Sequence, residues 1–350
     1  MNNYTTFKSH EQFLSARNTG IGSSDIPTLA GLNAKYGSTA MTLWEQKTGR
    51  SEGFTGNMAT EWGHLHETNI LYMYIKNNYG ADTADKFLIH KITNQHYLNF
   101  KNNTEARHPD YPYFIAHADL LIDENGGHIQ EAKSARMMAG KRRDDDDYGY
   151  SADDLTASGI PLSVFLQVQW QLLCYGAESA GVSVLIDTSD YREYGTIYPD
   201  KKTQEKLMTL AERFWHNVKT DTPPKPIIFD DVKKLFPDVQ EEAAICTIDS
   251  EIDSGVTVAD MLSERDAINK KIKELKLKED DIKKAIGLLI GDNKTLMTPD
   301  GTILATRSMQ SRESISVAEL RKTEYYDRLN EDGLVKKSEY PVLRIRGLKR

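Results

Sequence analysis

Apolar residues recur every three to four positions from Met58 to Tyr79. Trp62, Leu65, Ile70, Leu71, Tyr74 and Ile75 share one side, which predicts a long amphipathic helix with a buried stripe. The run YFIAHADLLID, Tyr113 to Asp123, predicts a strand. An Asn-Gly turn within Glu124–Gly127 then returns the chain along a second strand, His128 to Lys133. Pro161 to Tyr175 reads as a helix that is apolar on nearly every side, opened by a proline where a missing donor costs least. Val182 to Asp187 predicts a third strand, central and buried. Shorter helices are expected at Glu11–Arg17, at Ile26–Gly31 with Ser24 or Asp25 as cap, and at Thr42–Thr48 with a stop at Gly49. Helix, antiparallel hairpin, helix and strand together predict an α/β (α+β) sandwich.

The stretch TDTPPKP, Thr220 to Pro226, predicts a boundary, because Pro223, Pro224 and Pro226 exclude both helix and inner strand. It divides the chain into residues 1–226 and an extension, 227–350. In the extension Met261, Ile268, Ile272, Leu275, Ile282, Ile286 and Leu289 follow coiled-coil spacing, interrupted by Arg265 and Glu279. They predict a helix over 258–289. A hairpin turning at Thr298–Gly301, a short helix at Val317–Leu320 and a basic end, Pro341–Arg350, complete it. The extension is read either as packing for the core or as a surface for oligomer contacts or a partner, its basic end as a solvated tail or a phosphate contact.

Composition narrows the class. The chain has 350 residues, 39% apolar and 27% charged, which suits a globular protein. No window approaches ~18 consecutive apolar residues, so no membrane span is expected. The start lacks an apolar core behind a basic end, so no secretory signal is expected. Cys174 and Cys246 cannot make a disulfide framework or a four-thiolate cluster, and a reducing cytoplasm is the expected location. With 44 Lys+Arg against 52 Asp+Glu, the net charge of −8 speaks against coating nucleic acid but not against acting on it.

The hairpin carries the candidate chemistry. Glu131 and Lys133 share one face of the second strand, and the turn would place Asp119 opposite Glu131. Two converging carboxylates suit a hard divalent cation, and a neighbouring lysine can position or help deprotonate a water. Any polar hairpin can show this pattern by chance. However, Ile129 lies on the same face, so the pair points inward, where an unpartnered carboxylate is costly. Glu67 lies on the stripe of the long helix, either salt-bridged or as a third ligand. His64 and His66 flank it without the H-E-x-x-H spacing of a zinc protease. Of Gln167, Gln169 and Gln171 on their apolar helix, one is expected to face the cleft and two to be structural. Asp144–Asp147 reads as a solvated run, with Lys141, Arg142 and Arg143 before it as candidate phosphate contacts.

The blocks WGHLHE (Trp62–Glu67), HAD (His117–Asp119), QEAK (Gln130–Lys133) and FLQVQW (Phe165–Trp170) resemble the YqaJ-like viral recombinase family. FLSARNTGIGSSDIP (Phe13–Pro27) and LWEQKTG (Leu43–Gly49) extend the likeness. That family includes the lambda-type alkaline exonucleases, of the PD-(D/E)xK nuclease fold. The resemblance implies a mixed central sheet flanked by helices, with a mainly helical C-terminal extension. It implies Asp119, Glu131, Glu67 and the backbone carbonyl of Ala132 as ligands of Mg²⁺, for which Mn²⁺ substitutes, two ions per site. Lys133 would be the catalytic lysine and Gln167 the polar residue beside the attacking water. Arg17 and Ser24 would hold a DNA 5′-phosphate, and Arg136, Lys141, Arg142 and Arg143 would meet the DNA backbone. His117 stands where the lambda-type enzyme has serine, and Ala139 falls near its phosphate-pocket arginine.

The implied activity is 5′-to-3′ digestion of linear double-stranded DNA, leaving 3′ single-stranded tails for a single-strand annealing protein. A ring-shaped homo-trimer threading one strand would be the assembly. The alternatives are a PD-(D/E)xK endonuclease or repair nuclease, and a non-catalytic DNA-binding scaffold, which the presence of Asp119, Glu131 and Lys133 disfavours. Nucleases of the same fold with an iron–sulfur cluster need four cysteines.

Overall fold

The computed structural model describes residues 4–7, 19–52, 56–93, 95–135, 156–187, 189–237, 251–253, 256–301, 303–309, 311, 316–332 and 334–335. Contacts divide the chain into two units, Met1–Leu235 and Phe236–Arg350. The first contains β1 (Tyr4–Thr6), α1 (Ile26–Leu29), α2 (Ala40–Lys47), α3 (Met58–Tyr79), α4 (Ala81–Ile92), β2 (Phe100–Lys101), β3 (Thr104–Arg107), β4 (Ile115–Ala118), β5 (Leu120–Ile122), β6 (His128–Ala135), α5 (Leu162–Tyr175), β7 (Ser179–Ile186), β8 (Asp190–Ile197), α6 (Lys201–Lys219) and α7 (Phe229–Leu235).

Two sheets organise this unit. One is five-stranded, ordered β2-β5-β6-β7-β8, and the other three-stranded, β1-β3-β4. β6 and β7 pair in parallel, and every other ladder in the five-stranded sheet is antiparallel. The expected hairpin forms in the expected register: Leu120, Leu121 and Ile122 face Gln130, Ile129 and His128. Its loop uses left-handed backbone at Asn125, Gly126 and Gly127, with φ of 48°, 85° and 86°. A side chain on Gly126 would collide with Glu178. The single strand expected over 113–123 is instead two, broken at Asp119. β4 pairs with β3 in the small sheet, whereas β5 pairs with β2 and β6 in the large one.

Helices cover the large sheet, as the α/β reading requires. Ile129 and Leu121 join Val168, Trp170 and Leu172 of α5 in the larger core cluster. Leu120 and Ile122, one residue out of phase, join Leu71 and Ile75 of α3 and Phe87 of α4 in the smaller one. Val182, Val184 and Ile186 are buried, so β7 is the central strand expected. α5 starts behind Pro161 and ends at Gly176, which takes a left-handed φ of 61°. Trp170 is fully buried, donating from Nε1 to the Ile115 carbonyl at 3.0 Å.

Three expectations need correction. The stripe of α3 is buried only at Ile70, Leu71 and Ile75; Trp62 and Leu65 are 49% and 63% exposed. Only the C-terminal half of the helix meets the core clusters. The helix after Asp25 ends at Leu29 and not Gly31, and Asp25, its N-cap, makes no side-chain capping bond to it. The boundary expected at Pro226 comes too early. Asp231 on α7 is buried, accepting from Thr39 Oγ1 at 2.7 Å and from the Ile227 amide at 3.0 Å, so residues 227–235 belong to the first unit.

The second unit contains β9 (Glu251–Asp253), β10 (Val256–Thr257), α8 (Val258–Ile290), β11 (Thr295–Met297), β12 (Ile303–Thr306), α9 (Val317–Leu320) and α10 (Glu324–Glu331). α8 begins with a reciprocal cap: Thr257 Oγ1 accepts from the Asp260 amide at 3.1 Å, and Asp260 accepts from the Thr257 amide at 3.0 Å. The expected hairpin forms between β11 and β12, turning where the Gly301 amide donates to the Thr298 carbonyl at 3.0 Å. No helix among the described residues is long and apolar enough to cross a membrane.

Candidate active site

The break at Asp119 puts a carboxylate where the two sheets part. Extending the β5–β6 register by one pair sets Asp119 opposite Glu131. Asp119 Oδ2 accepts from the Ala132 amide at 2.8 Å, which fixes the carboxylate against the middle of β6. Its surroundings are hostile to charge. Burial, then the neighbouring charge of Glu131 and that of Glu67, hold the Asp119 carboxyl well above the usual carboxylate range, against the pull of Lys133.

Glu131 is buried and fully engaged. Its Oε1 accepts from Lys133 Nζ at 2.6 Å and from Gln167 Nε2 at 2.5 Å, while Oε2 accepts from Gln171 Nε2 at 2.6 Å. Lys133 also donates to Gln167 Oε1 at 3.1 Å, closing a three-membered polar ring. Burial pulls the Lys133 ammonium down, but Glu131 and Asp119 outweigh it and hold the group above its ordinary value. In this arrangement Lys133 is a cation that donates.

Gln167 and Gln171 are one helical turn apart on α5, so both reach the same strand. Gln171 also donates to the His117 carbonyl at 2.8 Å, tying Glu131 to the end of β4. Its Oε1 is buried without a hydrogen-bond partner. Gln169 points elsewhere, donating to the Tyr198 carbonyl at 2.9 Å and accepting from the Asp200 amide at 2.8 Å. Thus two of the three glutamines, Gln167 and Gln171, reach Glu131. The i, i+4 spacing of 167 and 171 was the signal for it.

Glu67 is close enough to be felt at Asp119, yet its Oε1 is paired with Lys91 Nζ at 2.9 Å. His66 stacks on Trp62, with ring centroids 5.5 Å apart. Among the described residues, no three His, Cys, Asp or Glu side chains gather tightly enough to form a metal shell by themselves. The pair Asp119 and Glu131 is therefore the carboxylate set that the geometry assembles.

Residues 12–178 match the YqaJ-like viral recombinase domain. The matched span lies within the first unit. The likeness read from the blocks around Glu67, Asp119, Glu131 and Gln167 is borne out, and all four blocks fall inside the matched span. None of the curated proteins matches the chain. Among solved structures, LHK-Exo in complex with dAMP is 16% identical, covers 65% of this chain and 97% of its own, and overlays with a TM-score of 0.44. The alkaline exonuclease LHK-Exo from Laribacter hongkongensis is 16% identical, covers 61% and 94%, and gives 0.42. SSO0001 is 14% identical, covers 63% and 91%, and gives 0.31. Overlays this loose assign nothing to this chain.

The opening segment of the matched span is anchored by a pair that sequence reading missed. Lys47 Nζ of α2 meets Asp25 Oδ2 at 2.9 Å, both side chains buried, and the same oxygen accepts the Gly22 amide at 2.9 Å. Nothing local in the sequence links a loop aspartate to a lysine on the next helix but one turn. Ser24, on the turn so held, is exposed. Arg17 lies outside the described residues, as do Arg136, Lys141, Arg142, Arg143, the Asp144–Asp147 run, the helix expected at Glu11–Arg17 and the basic end at 341–350. Lys47→Met should remove this cation from a buried carboxylate, costing about 1.5–3 kcal/mol of stability. Denaturant unfolding checks this, and a loss below about 1 kcal/mol would mean that the pair does not anchor the turn.

His117, the departure noted beside Asp119, is also accounted for. Its Nε2 and Glu105 Oε2 lie 3.0 Å apart, and Arg107 Nε donates to Glu105 Oε1 at 2.8 Å. Burial pushes the Glu105 carboxyl up, but His117 and Arg107 more than offset it and hold it below the usual range. The cluster stitches β3 to β4 just ahead of Asp119.

Proposed function

We propose that the chain is a metal-dependent exonuclease on linear double-stranded DNA, digesting 5′ to 3′ and leaving 3′ single-stranded tails for a single-strand annealing protein. The observation that carries this reading is the convergence of Asp119, Glu131 and Lys133 on one edge of β5–β6, locked by Gln167 and Gln171 from α5. The recombinase family of residues 12–178 supports DNA as the substrate.

The donor set fits a divalent cation. Asp119 and Glu131 are hard oxygen donors crowded in a buried place, and the crowding itself raises Asp119; a cation would relieve it. The unpartnered Gln171 Oε1 leaves an acceptor for an ordered water beside them. Asp119 and Glu131 would hold Mg²⁺ or Mn²⁺, with the carbonyl of Ala132, which lies between Glu131 and Lys133 in sequence. Glu67, whose Oε1 is paired with Lys91, would join through Oε2, and no further carboxylate cluster among the described residues marks a second ion. When bound, such an ion lowers the pKa of water and neutralises charge on the scissile phosphate. The chain's own residues do the rest. Gln167 and Gln171 fix the Glu131 rotamer, and Lys133 presents an N–H donor beside the carboxylates, where it can orient a water or a phosphate oxygen.

The test is a comparison of linear duplex, nicked circular and closed circular plasmid with Mg²⁺. Loss of the linear form alone, with a 3′ tail accumulating, is expected. Linearisation of either circle would replace this reading with an endonuclease.

A further inference from the structure

The long helix of the second unit carries an exposed apolar seam whose rim is mainly basic. α8 is 33 residues long, and of these only Ile290 is buried. The seam positions Ile268, Ile272, Leu275 and Ile282 are 51%, 44%, 54% and 61% exposed. From Met261 to Leu289 the seam runs roughly 42 Å at 1.5 Å per residue, which is enough for four heptads of a two-stranded coiled coil. Isolated, such a surface is an association site and not a stable end state.

The heptad register is fixed by the seam. Ile272 and Ile286 take a, with Arg265 and Glu279 at the same position, and Ile268, Leu275 and Ile282 take d. Towards the N-terminus the flanking positions e and g hold Asn269 and Glu264; along the middle of the seam they hold four lysines, Lys276 and Lys283 on one side and Lys271 and Lys278 on the other. All four are exposed. Lys283 bridges Glu279 within its own helix at 2.6 Å, so the one seam carboxylate already has a cation.

This rim argues against a second copy as the occupant. In a parallel pair Lys271 would face the copy's Lys276, and Lys278 its Lys283, while Arg265 and Glu279 would each meet their own kind in the seam. In a centred antiparallel pair Lys271 would face Lys278. The parallel pairing sets lysine against lysine on both flanks and the antiparallel one on the g flank, which specifies against self-association. A helix with the same apolar spacing and acidic e and g positions meets no such repulsion.

We propose that α8 is the docking surface for an amphipathic helix of another protein, with an Ile/Leu seam and a Glu/Asp rim. The seam supplies the buried area and the lysines choose the partner. This does not rest on the nuclease reading, since none of these residues belongs to the candidate active site.

Two four-heptad peptides with an identical Ile/Leu seam, one with Glu and one with Lys at every e and g position, test it by fluorescence anisotropy against the full chain. The Glu-rimmed peptide should bind at least about tenfold more tightly. The variant with Lys271→Glu, Lys276→Glu, Lys278→Glu and Lys283→Glu should reverse that preference, with its circular dichroism unchanged. A preference that does not reverse, equal binding of both peptides, or binding of neither overturns the proposal. So does light scattering in which the wild-type chain is an oligomer that Ile272→Asp dissolves, because the seam would then be filled by a second copy.

Discussion

Asp119→Asn is expected to cut Mg²⁺-dependent DNA digestion by at least about 10³-fold and to make the protein more stable. The loss follows if Asp119 is one of two carboxylates holding the ion, because the metal contributes several kcal/mol of transition-state stabilisation and each 1.4 kcal/mol is tenfold. The gain follows from its surroundings. Asparagine keeps the acceptor for the Ala132 amide while removing a charge from beside Glu131. Because burial and Glu131 raise the folded carboxyl above its unfolded value, the wild type is most stable below the unfolded value. It loses stability as pH rises toward the folded one. The variant lacks that loss, so its advantage should widen with pH, by ~2–4 °C in melting temperature for each kcal/mol. Mg²⁺ should raise the wild-type melting temperature and leave the variant unmoved. Full activity in Asp119→Asn, or an equal Mg²⁺ shift in both proteins, would remove Asp119 from the site.

The pairing of Asp119 with Glu131 was legible because period-2 alternation and a short Asn-Gly loop leave little freedom in register. The break at Asp119 was not. The run Tyr113–Asp123 contains no glycine or proline, and nothing in it marks the residue at which one strand leaves a sheet for another. The stripe of α3 was read correctly as a period and wrongly as uniform burial. Periodicity says which side of a helix is apolar, not how far along its length a core extends to meet it, and Trp62 and Leu65 lie beyond that extent.

Pairs formed across the fold were illegible for a different reason. Lys47 with Asp25, and Glu105 with His117, depend on which elements become neighbours, and no local pattern encodes that. The prolines at 223, 224 and 226 were a sound signal for the end of regular structure but not for the end of a domain. Chain stiffness does not stop the next helix from packing back, as Asp231 does against Thr39. The length of α8 was legible from its seam, and its exposure follows from the same seam finding no core among the described residues of its own unit.

Lys133→Met should lower turnover by about 10²–10⁴-fold while leaving DNA binding intact. Methionine retains most of the buried stem, so the change removes the ammonium with little loss of packing. In the wild type that ammonium is the cation closest to Glu131, at 2.6 Å, and it is kept charged by both carboxylates. It therefore serves as a donor in this arrangement, and its loss cannot be repaired by raising the pH, as the loss of a general base could be. Without it, Glu131 keeps Gln167 and Gln171 as donors but loses its ion pair, so the metal-free variant should be less stable than the wild type. A divalent ion would then relieve more repulsion than it does in the wild type, and the Mg²⁺-induced rise in melting temperature should be larger. The combination decides the role. A slow enzyme with an enlarged Mg²⁺ shift means that Lys133 acts beside the metal, on water or phosphate. A slow enzyme that no longer responds to Mg²⁺ means that Lys133 only shapes the carboxylates. A variant with wild-type turnover removes Lys133 from the chemistry altogether.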